Sequence, residues 1–93
     1  MIERGIDALA VSGRMTMAEA SLLLEDGCAA LSAPATTFDL SAVTDADSAA
    51  LSVLFGWLRA AKQRNIAVTF RNTPANLLSL AEVYGVTELL AQH

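Results

Sequence analysis

The residues best equipped for chemistry sit together at Asp45-x-Asp47-Ser48. Two carboxylates beside a hydroxyl suggest phosphoryl transfer through an aspartyl nucleophile, a divalent-cation loop, or a hydroxyl that is modified or touched by a partner. The first two lack necessary parts. An aspartyl nucleophile belongs at a strand end, whereas this pair begins five residues beyond the run Thr36-Thr37-Phe38-Asp39-Leu40, and the lysine and cap of such a site need a longer chain. A calcium loop needs glycine at its sharp turn, where Ala50 stands. There remains Asp47 as the cap of a helix, with Ser48 in the first helical position and its hydroxyl facing solvent. The expectation is a protein with no catalytic residue, no metal ligand and no cofactor.

The composition narrows the partners. Ninety-three residues make one expected domain, 1–93, with a formal net charge of −4. The six cations, Arg4, Arg14, Arg59, Lys62, Arg64 and Arg71, form no dense stripe, which argues against nucleic acid. The longest uncharged stretch, Gly27 to Phe38, is too short and too polar to cross a bilayer, and Met1 to Gly5 has no apolar core of signal type. A single cysteine, Cys28, fits a reducing compartment. The expected location is cytoplasmic, without direct membrane insertion. Hydrophobic residues make up 54% of the chain but aromatics only 5%. Such an Ala- and Leu-rich chain either packs tightly or leaves apolar surface for a partner.

The elements that position the acidic segment follow from periodicity. Ile6 to Ser12 reads as a strand ended by Gly13, and Met1 to Glu3 as the stub of another. Thr16 and Glu19 have capping-box spacing before a helix whose apolar face includes Leu23, Leu24, Gly27, Cys28 and Leu31, with Cys28 expected as a small buried hydrophobe. Thr36 to Leu40 reads as a strand and Ser41 to Ala46 as a loop. A long helix runs from the Asp47 cap to near Arg64, with Asn65 as its left-handed stop. Ile66 to Phe70 is the next strand. Thr73-Pro74 then opens a helix that buries Leu77, Leu80, Ala81 and Tyr84 and ends at Gly85, followed by a short turn from Thr87 to Ala91. His93 reads as a tail without a partner. Alternating strands and helices predict an α/β fold with a mixed or largely parallel sheet of four or fewer strands.

On the long helix, Ala50, Leu51, Leu54, Phe55, Leu58 and Ala61 form the expected sheet-facing stripe. Val53 and Trp57 widen the apolar arc to about 200°, twice what a one-sided surface helix needs. The extra width has two readings. Trp57 packs beneath a neighbouring helix, or it stays partly exposed beside Ser48 and Ser52 as part of a contact surface, where tryptophan is enriched.

The run Phe38-Asp39-Leu40-Ser41, then Asp47-Ser48-Ala49-Ala50-Leu51, resembles the STAS domain, the fold of anti-sigma factor antagonists and of the MlaB subunit of phospholipid-transport ABC systems. Leu80 to Val86 is similar to the last helix of MlaB-like members. Phosphorylatable antagonists resemble Asp-Ser-Ser-Gly-Leu, with the phosphate on the second hydroxyl. Here Ala49 and Ala50 replace that hydroxyl and the glycine, while Ser48 matches the MlaB-like hydroxyl. The resemblance implies a non-catalytic module that binds a protein partner, either the ATPase of an ABC transporter at the inner membrane or, alternatively, an anti-sigma factor kinase. It places partner binding at the Ser48 end of the long helix; together with the wide apolar arc, the partner-binding candidates are Asp47, Ser48, Ser52 and Trp57, with Ser48 the one hydroxyl left as a phosphorylation candidate and a homodimer admitted.

Overall fold

The computed structural model describes residues 1–90. The far end of the expected last turn, Ala91, and the terminal His93 lie outside them. The chain runs β1 (Ile2–Arg4), β2 (Leu9–Met15), α1 (Ala20–Ala30), β3 (Ala35–Ala46), α2 (Ser48–Gln63), β4 (Ala67–Arg71), α3 (Ala75–Val83) and a 3₁₀ turn over Thr87–Leu89. The four strands lie side by side in sequence order. β1 pairs antiparallel with β2, whereas β2 with β3 and β3 with β4 are parallel, so the sheet is mixed.

Alternation sorts the sheet into two faces. Leu9, Val11, Phe38, Leu40, Val68 and Phe70 are buried, in one core with Leu23 of α1, Leu54 and Trp57 of α2, and Leu77 of α3. Between them Thr37, Asp39, Thr69 and Arg71 alternate onto the opposite face, with Ala10 and Ser12 of β2.

β3 is longer than the sequence suggests, because the expected loop Ser41–Ala46 is strand. Two register shifts against β2 explain the difference. Ala10 pairs with Asp39 and Ser12 with Ala42, then Gly13 pairs with Val43 and Arg14 with Asp45. Each shift inserts one extra residue in β3. The first reverses the phase of alternation, so that burial passes from even positions (Phe38, Leu40) to Val43. A strand whose phase flips midway reads as irregular. β2 is also displaced: it spans Leu9 to Met15, with Gly13 inside it at φ 85° rather than ending it, and Ile6 lies fully exposed in the preceding turn.

The helix starts shift by a few residues. Thr16 to Glu19 forms a turn, and α1 begins at Ala20. Half of the capping box forms, since the Glu19 carboxylate accepts both the backbone N–H and the hydroxyl of Thr16. Pro74, not Thr73, is the cap residue of α3. Asp47, Asn65 (φ 57°) and Gly85 (φ 70°) stand where expected. Tyr84 does not. It is 57% exposed, because it follows the last full turn of α3 and points away from the face that buries Leu77 and Ala81. Leu80 and Cys28 are half-buried, so Cys28 is less enclosed than expected.

Trp57 corrects the largest sequence expectation. It is fully buried and belongs to no contact surface. Its indole stacks on Phe38 of β3 at 4.3 Å between ring centroids, nearly parallel, and its Nε1–H donates to the Leu23 carbonyl of α1 at 3.0 Å. The wide apolar arc of α2 is thus covered on its Trp57 side by α1. The buried side of α2 is rotated by roughly 60° from the expected stripe, given 100° per residue. Phe55 emerges at 38% exposure and Leu58 is half-buried. The close approach of α1 requires glycine at 27, where a β-carbon would overlap the indole.

Opposite the helices, Arg71 reaches Asp7 with both terminal nitrogens, at 3.2 and 3.3 Å, and its Nε lies 3.5 Å from Asp39. Asp39 also accepts the Ser41 backbone N–H and the Asn72 amide. The Ser41 N–H is the chief cause that holds the Asp39 carboxyl below its ordinary range, with Asn72 and Arg71 adding to it.

Two outcomes are expected. Trp57→Ala should cost about 3–5 kcal/mol in denaturant unfolding, the range for emptying a buried aromatic site. Gly27→Ala should cost about 1–3 kcal/mol by overpacking. A near-neutral Gly27→Ala would mean that the indole is not pinned between α1 and Phe38. Because the Asp39 pKa is depressed on folding, its contribution to stability is complete above about pH 4, the unfolded carboxylate value, and fades as pH falls through the folded value. Asp39→Asn should therefore be less stable than wild type at pH 7, and the gap should narrow as the pH falls below about 4. A gap independent of pH would remove the ionised carboxylate from the account.

Candidate functional site

The acidic segment lies where β3 gives way to α2. The Asp47 backbone is extended, and its Oδ1 accepts the Ala49 N–H at 2.8 Å, satisfying one of the free amides of the first helical turn. The other oxygen, Oδ2, accepts the Met17 N–H at 3.1 Å. One carboxylate thereby ties the start of α2 to the turn before α1, residues thirty apart in sequence. Asp45 is occupied locally, accepting the Ala46 N–H at 2.9 Å. The two carboxylates point to different amides and do not converge on a common point. Among the described residues, no group of three or more His, Cys, Asp or Glu side chains is placed to hold a metal ion.

Ser48 is exposed at the first position of α2, and Ser52 is exposed one turn later. Beside them runs a groove. Ser48, Ala49, Leu51, Ser52 and Phe55 form its α2 side, Tyr84 and Val86 close it from the end of α3, and Met17 closes it from the turn before α1. Of the sequence-selected residues, Ser48 and Ser52 line the groove, and Asp47 stands immediately before Ser48 with its carboxylate turned to backbone amides. Trp57 does not line it, because it lies on the buried side of the same helix.

Met17, Phe55, Tyr84 and Val86 were not identified as part of a surface by sequence reasoning. Met17 is 77% exposed. Phe55 was assigned to the sheet-facing stripe, and its place at the edge of that stripe was the available signal. Tyr84 was assigned to the buried face of α3, although its position just before Gly85, past the last full turn, pointed to exposure. At the other end of α2, the Arg64 guanidinium donates to the Cys28 carbonyl at 2.9 Å, so this cation braces α1 and not a ligand.

No helix among the described residues is long and apolar enough to cross a membrane. Comparison with curated proteins finds no match. Among solved structures, the anti-sigma factor antagonist SpoIIAA in its unphosphorylated form superposes with a TM-score of 0.65 over 88% of this chain and 80% of its own. At 9% identity, that likeness establishes the fold alone. The family model described as Mlab, STAS domain, matches residues 2–91, nearly the whole length. The chain belongs to the MlaB-type STAS domain family.

Proposed function

We propose that this chain is a single non-catalytic binding module. It is a cytoplasmic accessory subunit that docks on the ATPase of a phospholipid-transport ABC system and tunes its activity. The match to the MlaB family model is the observation that carries this reading. The helix start supports it further. Ser48 offers an exposed hydroxyl, while the next position, where phosphorylatable antagonists resemble a second hydroxyl, is Ala49. For that reason the transporter subunit is favoured over an anti-sigma factor antagonist. In this reading Asp47 fixes the start of α2, Ser48 and Ser52 face the partner, and the ATPase links the module peripherally to the inner membrane. No cofactor or metal has a role.

The test is titration against the purified ATPase of the phospholipid-transport ABC system from the same cell, alongside denaturant melts. A carboxylate at position 48 gains about 0.3–1 kcal/mol from the helix N-terminus, opposed by Asp45 and Asp47, so folding should change little. Its cost falls on the complex, where a charge at the edge of the groove must be desolvated against the partner. Ser48→Ala should fold and bind nearly as wild type. Ser48→Glu should fold normally and bind about tenfold or more weakly, equivalent to about 1.4 kcal/mol. Equal affinity for wild type and Ser48→Glu would place the docking surface elsewhere, and no binding by wild type would remove the ATPase as partner.

A further inference from the structure

The two edges of the sheet differ in how they are guarded. β1 is three residues long and carries Glu3 and Arg4, the short, charged form that discourages pairing with another chain. β4, at the other edge, runs Ala67-Val68-Thr69-Phe70-Arg71, with no lysine, proline or glycine. Its register against β3 is unbroken, so no bulge turns it away. Its one charge is drawn inward, because the Arg71 guanidinium reaches back across the open face of the sheet to Asp39 and Asp7. The Ala67 N–H donates to the Pro34 carbonyl at 3.0 Å, which fixes the phase of the strand. Ala67, Thr69 and Arg71 turn their N–H and C=O groups to β3, and Val68 and Phe70 turn theirs to the free edge. Among the described residues, no backbone group bonds to those of Val68 and Phe70 along that edge.

We propose that the β4 edge is a self-association surface, on which a second copy of this chain pairs antiparallel to make one eight-stranded sheet from two four-stranded ones. A two-fold axis normal to the sheet keeps the helices of both copies on one side and sets one residue of β4 opposite itself. With Thr69 on the axis, Val68 of each copy exchanges both of its hydrogen bonds with Phe70 of the other, so every outward group of the edge is used. Moving the axis to Val68 or Phe70 wastes groups, because the Ile66 N–H is taken by the Ala61 carbonyl and Asn72 leaves the strand at φ 57°. In the Thr69 register, Thr69 meets Thr69, Val68 meets Phe70 and Ala67 meets Arg71, with no like charges opposed. The same operation on β1 sets Glu3 against Glu3. The charge pattern therefore admits a second copy at β4 and refuses it at β1. None of these residues lines the groove beside α2, so the inference stands apart from the function proposed above.

The test is sedimentation velocity of the full chain, with amide hydrogen exchange followed by NMR. Wild type should pass from monomer to dimer across about 0.01–1 mM, the weak association expected of a small interface. Exchange at the Val68 and Phe70 amides should slow as the dimer forms. Thr69 is half-buried on the open face and outside the core, so Thr69→Lys and Thr69→Glu should keep the wild-type far-UV spectrum. Each variant opposes like charges on the axis and should associate several-fold more weakly. An equimolar mixture of the two sets lysine against glutamate and should restore the dimer. A wild-type chain that stays monomeric, association that neither variant weakens, or a mixture no better than its components would each overturn the proposal. Slow exchange at Val68 and Phe70 in a monomer would give the edge to another occupant and overturn it equally.

Discussion

The stack of Trp57 on Phe38 is the contact on which the layers depend. The sheet offers an aromatic face, α2 offers the indole, and α1 can approach only because residue 27 has no side chain. The indole's single polar atom is satisfied by the Leu23 carbonyl, so its burial leaves no unpaired donor. Three of the chain's five aromatics meet here. Phe70 lies 5.7 Å beyond Phe38, extending the contact to β4. The remaining core is aliphatic, mostly Ala, Val and Leu with Met15 and Ile66.

That packing orients the site. Once α2 is rotated to bury Trp57 between Phe38 and α1, the opposite side of the helix presents Ser48, Ser52 and Phe55 together. The Asp47 carboxylate then fixes both the helix start and the Met17 turn, so the walls of the groove are held by the same residue that opens the helix. Core and surface of α2 are two consequences of one rotation about its axis.

The element order, the Asp47 cap, the Asn65 and Gly85 stops and the hydroxyls at 48 and 52 were legible because each rests on a local rule: periodicity, side-chain capping, or a positive φ. The far half of β3 was not, because its alternation depends on two bulges opposite β2, and pairing is not written in either strand alone. Trp57 was ambiguous for a related reason. A 200° apolar arc shows that something covers the helix but not whether the cover belongs to the same chain. Gly27, in the middle of α1 and costly to helix propensity, was the sign of a close contact there. Tyr84 and Phe55 were misplaced because hydrophobic character was equated with burial at positions near the edge of an arc or the end of a helix.

The two alanines after Ser48 have different physical meanings once their places are known. Ala50 is fully buried beneath α2, where a side chain meets the core and no partner can reach it. Its replacement of the glycine in the antagonist-like pattern is a matter of helix stability and packing, since alanine favours helix interiors over glycine by about 1 kcal/mol. Ala49 is half-buried and borders the groove. A methyl at that point removes a hydroxyl from a surface that a partner can touch. The departure that bears on recognition is therefore the single position 49, which leaves Ser48 and Ser52 as the hydroxyls on the groove side of α2.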